Sequence, residues 1–230
     1  MLADRILYED NHLVAVNKLP GEIVQGDKTG DEPLSGTVKR YIKDKYNKPG
    51  EVFLGVVHRL DRPVSGVVVF ARTSKALARM NDLFRERKTE KTYWAVVQNK
   101  PEQTSGSLVN FLWKNESQNK SYVTEEGRAG ASRSWLDYRL IAASDRYFLL
   151  EVKPQTGRHH QIRVQLSHMG CPIKGDLKYG ADRSNEDGSI HLHARRLNFI
   201  HPVSHQAVEI VAPVPEEKLW KFFEEKAEQE

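Results

Sequence analysis

The sequence predicts an α+β protein, mostly strand, with a mixed, mostly antiparallel central sheet and flanking helices. Three observations predict it. Short β-branched runs such as Val67-Val68-Val69-Phe70 are bounded by Gly and Pro, the pattern of buried strands. Apolar residues recur at helical spacing in only a few segments. Two pairs of strand-like segments are joined by short polar turns, as in hairpins. At 230 residues the chain can bury a real core, and it reads as one domain.

In chain order, residues 6–8 and 13–16 read as a hairpin across Asp10-Asn11. Leu34, Val38, Tyr41 and Ile42 mark a helix. Residues 52–57 and 67–71 read as buried strands. Thr73 or Ser74 then caps the helix that follows, with Leu77, Met80, Leu83 and Phe84 on one face. Strands are expected around residues 92–98, 108–114 and 121–124. Leu136, Tyr138 and Leu140 alternate, Asp145-Arg146 turns, and residues 147–152 return. After Thr156-Gly157 a helix places Ile162, Leu166 and Met169 at i, i+4 and i+7. Residues 181–188 are polar and read as a mobile loop. Residues 190–199 and 207–211 return to strand. Pro215 opens a C-terminal helix running to about residue 230, with Leu219, Trp220 and Phe223 inward.

The formal charge is +4, but the last fifteen residues carry six acids and three bases, so the first 215 hold a net +7. That excess suits a polyanion partner, although many soluble basic proteins share it. Cys171 is the only cysteine, which excludes a disulfide framework and a cysteine zinc cluster and fits a reducing, cytoplasmic setting. The first five residues do not form a signal peptide, and no apolar run approaches about 18 residues, so no membrane partner is expected. Six of the nine histidines fall between His159 and His201, and His191 and His193 share a strand face. No cysteine or acid stands at a metal spacing beside them, so no metal is expected.

The most informative stretch is His58-Arg59-Leu60-Asp61-Arg62-Pro63-Val64-Ser65-Gly66-Val67. It sets an aspartate between two arginines on a turn between apolar runs. The flanking cations favour its ionised form. Such a group is either a structural ion pair or a prepared carboxylate nucleophile. The motif closely resembles the catalytic motif of the RluA-type RNA pseudouridine synthases. Lys91-Thr92-Tyr93-Trp94-Ala95 resembles that family's Lys-x-Tyr-x-Ala strand. Thr156-Gly157-Arg158-His159-His160-Gln161-Ile162-Arg163 is similar to its Thr-Gly-Arg-x-His-Gln-Ile-Arg helix start. Residues 170–180 and Leu192-His193-Ala194 complete a match from about residue 6 to 213.

The resemblance implies a single pseudouridine synthase catalytic domain over residues 1–230, isomerising specific uridines in rRNA or tRNA. The family often carries an N-terminal S4 module; the catalytic pattern here starts at about Ile6, so RNA capture is expected from the catalytic domain itself. The isomerisation needs no redox change and no group donor, hence no cofactor. By resemblance Asp61 is the nucleophile and Arg163 its ion-pair partner. Tyr93 lies against the target base, stacking on it or serving as the base at C5. Arg59 fills the vacated stack or holds the flipped nucleotide; the alternative is a second ion-pair partner for Asp61. Arg62 meets phosphate, and Lys91 belongs to the RNA-binding set. Arg158, His159 and Gln161 are placed in the first turns of their helix, where the positive N-terminus attracts phosphate. On that helix Arg163 stands about 140° around from Arg158, which gives the two different roles.

Lys18 resembles a family Asn-Lys-Pro segment interrupted by Leu19; a basic rim residue is the other reading. The pattern departs at Val64 and His159, where threonine or serine is commoner, and at Gln165, where histidine is usual. A glycosidase normally needs a second carboxylate as general acid. The only other motif acid, Asp176, sits on an expected turn, which favours isomerisation over hydrolysis. A noncatalytic RNA-binding or ribosome-assembly factor and a nucleoside or RNA glycosidase are the competing readings. No obligate protein partner is evident, and a monomer is expected.

Overall fold

The structure, a computed structural model, describes residues 1–229. It contains two compact units, Met1–Lys91 with Ala194–Pro213, and Thr92–His193 with Val214–Glu230. Among the described residues there are eleven strands and four α-helices, the α+β class expected. No described helix is long and apolar enough to cross a membrane.

In the first unit β1 (Ile6–Glu9) and β2 (Leu13–Lys18) form the expected antiparallel hairpin. Its turn is made by Asp10, whose carboxylate accepts the backbone N–H groups of His12 and Leu13, both at 2.7 Å. β2 pairs antiparallel with β4 (Ser65–Ala71), every residue of which is buried. A strand covered on both faces needs the continuous apolar run seen in the sequence. Leu13, Ala15, Val67, Val69 and Ala71 pack against Ala76 and Met80 of α2 (Ser74–Arg85). The Thr73 hydroxyl caps α2 by accepting the Ala76 N–H at 3.1 Å. α1 (Leu34–Lys45) buries Leu34, Val38 and Ile42.

Residues 52–57 do not form one strand. Only β3 (Gly55–Val56) pairs with β4, and Phe53 is 46% exposed. The His58 side chain takes over the next bond: its Nε2 accepts the Val69 N–H at 3.1 Å.

The second unit takes most of β5 (Thr89–Val97), then β6 (Ser105–Asn115), β7 (Lys120–Thr124), β8 (Ser132–Ala143) and β9 (Phe148–Pro154). Their order is β5-β9-β8-β6-β7, all antiparallel. α3 (Gln161–His168) follows β9, and the C-terminal helix α4 (Lys218–Glu228) buries Trp220 and Phe223 against Trp94, Val96 and Leu149. α4 starts three residues later than Pro215 suggested, because Glu217 is its N-cap and accepts the Trp220 N–H. Residues 181–188 are pinned at Asn185, which bonds to Lys174, Ser189 and His191. β10 (Leu192–Ile200) leads back to the first unit, where its continuation pairs with β11 (Ala207–Val211).

Candidate active site

In the first unit, Arg59 is exposed, Leu60 buried and Asp61 half-buried, so Arg59 and Asp61 share the outward side of their segment. Asp61 opens a turn closed by the Val64 N–H on its own carbonyl at 3.0 Å. The turn is gripped from beneath by Lys18, which is 0% exposed. Its Nζ donates to the carbonyls of Leu19 (3.0 Å), Arg62 (3.0 Å) and Val64 (2.6 Å). Burial pushes its ammonium down to about 8, against the opposing charges of Glu22 and Asp61. Lys18 is therefore no rim residue: the end of β2 carries it into the core under Asp61. A tight approach follows at Gly66, with φ +114°, where any Cβ would lie 2.3 Å from the Ala194 carbonyl oxygen.

Three further groups of the recognised motifs lie in this unit. Arg62, expected at phosphate, is held by Asp31 (2.6 Å) and Thr29 (2.9 Å) of the preceding loop. Lys91 is half-buried, and burial together with Arg87 lowers its ammonium below the ordinary value. His58 stacks on Phe84, and burial with the nearby Lys91 charge pushes its imidazole down to about 4, so it stays neutral and can accept from Val69.

In the second unit, Tyr93 stands on β5 opposite Val152 of β9. Trp94 faces the other way, into the packing under α4. Arg163 is buried in α3. Its Nε and Nη2 donate to the two carboxylate oxygens of Asp176, at 2.7 and 2.8 Å, a bidentate pair. The guanidinium lies 5.1 Å from the centroid of the Tyr179 ring. Asp176 is 1% exposed, held between Gly175 and a 3-10 turn over Leu177–Tyr179. A solvated arginine is thus excluded, and the acid on the turn serves to fix the arginine in place.

The segment before α3 corrects the expected helix start. His160 adopts a left-handed backbone, φ 53°, so α3 begins only at Gln161 and Arg158 and His159 precede it. The helical angle between Arg158 and Arg163 does not apply. Arg158 is exposed. His159 stacks on His160 at 3.7 Å and bonds to the Ser121 hydroxyl at 2.9 Å. Burial, then the Arg163 charge, pushes the His160 imidazole down to about 2; its Nδ1 bonds to the Tyr179 hydroxyl at 2.8 Å. Gln161, expected at the RNA, is 4% exposed and occupied internally. Its Oε1 accepts from the Thr156 hydroxyl and the Arg158 N–H, and its Nε2 donates to the Trp135 carbonyl. This clamp shapes the Thr-Gly-Arg turn. Gln165 likewise donates to Leu108 and Asn110 of β6.

Residues 12–168 match the family model described as RNA pseudouridylate synthase. The chain belongs to the RNA pseudouridylate synthase family. Similar members include the ribosomal large subunit pseudouridine synthase C of Escherichia coli (strain K12), 35% identical over 226 residues, which span 94% of this chain and 68% of that protein. The protein of the same name from Vibrio vulnificus (strain CMCP6) is 33% identical over 222 residues, 94% of this chain and 67% of that one. The chain thus spans about two thirds of the length of these curated relatives. The solved structure of human RNA pseudouridylate synthase domain containing 4 superposes with a TM-score of 0.80 at 25% identity, covering 99% of this chain and 94% of that one.

The family reading from the motifs therefore holds. Sequence reasoning missed the roles of Lys18 and Asp176. Both lay inside recognised motifs, but a buried lysine and a partner thirteen residues away leave no periodic signal.

Proposed function

We propose that this chain isomerises specific uridines of RNA to pseudouridine, with Asp61 as the nucleophile. The supporting observation is Asp61 itself: a carboxylate on a turn that Lys18 grips at two carbonyls, in a chain of this family. The names of the relatives point to large-subunit ribosomal RNA as the substrate class.

The reaction breaks the N1–C1′ bond, forms C5–C1′, releases the C5 proton and takes up one proton at N1. Electrons balance without a donor or acceptor. Asp61 attacks C1′ or stabilises an oxocarbenium-like centre there. The uridine must first leave its stack, at a cost of a few kcal/mol. Arg59, exposed beside Asp61, holds the flipped nucleotide, and Arg158 meets the RNA backbone. Tyr93 stacks on the uracil, and Arg163, oriented by Asp176, supplies fixed positive charge. Asp176 is committed to Arg163 at both oxygens, so it does not serve as the general acid a glycosidase needs. In this reading the two units act as one catalytic domain, and the protein works as a monomer in the cytoplasm.

RNA transcribed with uridine tritiated at C5 tests the reading, because each conversion releases that hydrogen to water. Tritium release by the wild type, absent in Asp61→Asn, with no free uracil, is the expected result. Free uracil would make the protein a glycosidase. Binding without tritium release would make it a noncatalytic RNA-binding factor.

A further inference from the structure

The second unit has a sheet face that the chemistry above does not use. Leu112 and Val123 point to one side, against Val164 and Tyr179. The register sets Trp135, Asp137 and Arg139 on the other side, the side of Glu151 and Trp94. α4 covers this second side only around Trp94, Ile141 and Leu149. Beyond it, Val109 and Trp135 are direct cross-strand partners, 47% and 39% exposed. Next along the same face come the pairs Phe111 with Arg133 and Trp113 with Tyr122.

Cations are interleaved with these rings. The Arg128 guanidinium lies 3.7 Å from the Trp113 ring centroid, and Lys120 Nζ, on the edge strand, lies 5.3 Å from that of Tyr122 and 5.2 Å from that of Tyr179 on the first side. Arg133 is exposed opposite Phe111, and Lys153 stands opposite Asp137 with its ammonium 3.8 Å from Glu151. The Asp137 carboxylate is already occupied by Ser107, Trp135 Nε1 and Gln155. Aromatic residues and arginine are enriched at protein–protein interfaces as well, but lysine is depleted there. Rings alternating with arginine and lysine on an exposed sheet suit unpaired nucleotides instead, whose bases stack while their phosphates meet the cations.

We propose that this face of β6, β7 and β8 is a second RNA surface, stacking the bases of single-stranded RNA on Trp135 and on the Arg128 guanidinium that covers Trp113, with its phosphates on Arg133 and the edge cations. The inference rests on the reading of the chain as an RNA-modifying enzyme, and extends it to how RNA beyond the target uridine is held. It predicts a preference for targets flanked by unpaired nucleotides.

The test uses the full chain and a labelled oligouridylate of about 16 nucleotides, near the upper site size of one stacking module. Two of the four tryptophans, Trp94 and Trp220, are only 8% and 3% exposed, so quenching of intrinsic fluorescence reports Trp113 and Trp135. Binding should quench the wild type. Trp135→Ala should weaken affinity about tenfold, Trp135→Phe should restore most of it, and Arg133→Glu should weaken it without touching a ring. All three change exposed side chains, so circular dichroism should match the wild type, and tritium release at saturating RNA should persist. Unchanged affinity in Trp135→Ala and Arg133→Glu overturns the proposal, even if those variants lose a protein partner. A wild type that binds and quenches but forms no pseudouridine in cellular RNA contradicts the proposed function and leaves this surface standing.

Discussion

Asp61 owes its position to a neighbour that never meets solvent. Lys18 supplies a donor to the Val64 carbonyl where the chain turns, and adds a second donor to the Arg62 carbonyl, which also accepts the Gly21 N–H at 2.8 Å. Removing it would leave the buried Val64 carbonyl without this donor, at a cost of about 1–3 kcal/mol, while the Arg62 carbonyl keeps the Gly21 N–H. Lys18→Met should therefore destabilise the protein by about 1–3 kcal/mol in urea unfolding. Tritium release should fall further than the folded fraction does, because the nucleophile's turn loosens. A variant as stable as the wild type would show that the three bonds are dispensable. Lys18 was visible in the sequence as part of a motif. Its burial was not, because a lysine at the end of a strand ordinarily extends to water.

At the scale of elements, α3 works as a carrier of buried polar groups. Its residues from Gln161 to Leu166 are all buried, and Gln161, Arg163 and Gln165 each hold a partner on another segment. Breaking a buried ion pair by removing one charge costs about 3–5 kcal/mol. Asp176→Asn should thus lower stability by about 3 kcal/mol. It should also reduce kcat more than KM, since Arg163 loses its bidentate hold; equal kcat in the folded variant would count against a positioning role. The strands and the helices α1 and α2 were legible because one face is apolar at a regular period, and Thr73 supplied a recognisable cap. The start of α3 was not, because His160 takes a left-handed conformation that favours glycine and asparagine. The length of β3 was misread because a histidine side chain, rather than more strand, satisfies β4. The outward face of β6 and β8 emerged only with the register, since alternation alone does not say which side is covered.

For the whole molecule, pH is the clearest handle on stability. His58 and His160 are held neutral by burial, at about 4 and about 2. Burial lowers His191 in the same direction. Unfolding returns each to about 6.5, so the unfolded chain binds more protons below that value. Their stabilisation is complete above pH 6.5 and is lost as pH falls towards the folded values. At pH 5 the loss is about 2 kcal/mol for each of the first two. The urea midpoint should therefore drop between pH 7 and pH 5, a window above the carboxylates, and drop less in His58→Gln. A flat profile would contradict the burial of these rings. The proposed activity turns on Asp61, and it is read out by a map of pseudouridine in total RNA from cells lacking the protein. The RNA is mapped before and after incubation with wild type or Asp61→Ala. New pseudouridine at defined uridines with the wild type alone is the expected result. Binding by both proteins with no new pseudouridine, or conversion by Asp61→Ala as well, would contradict the account.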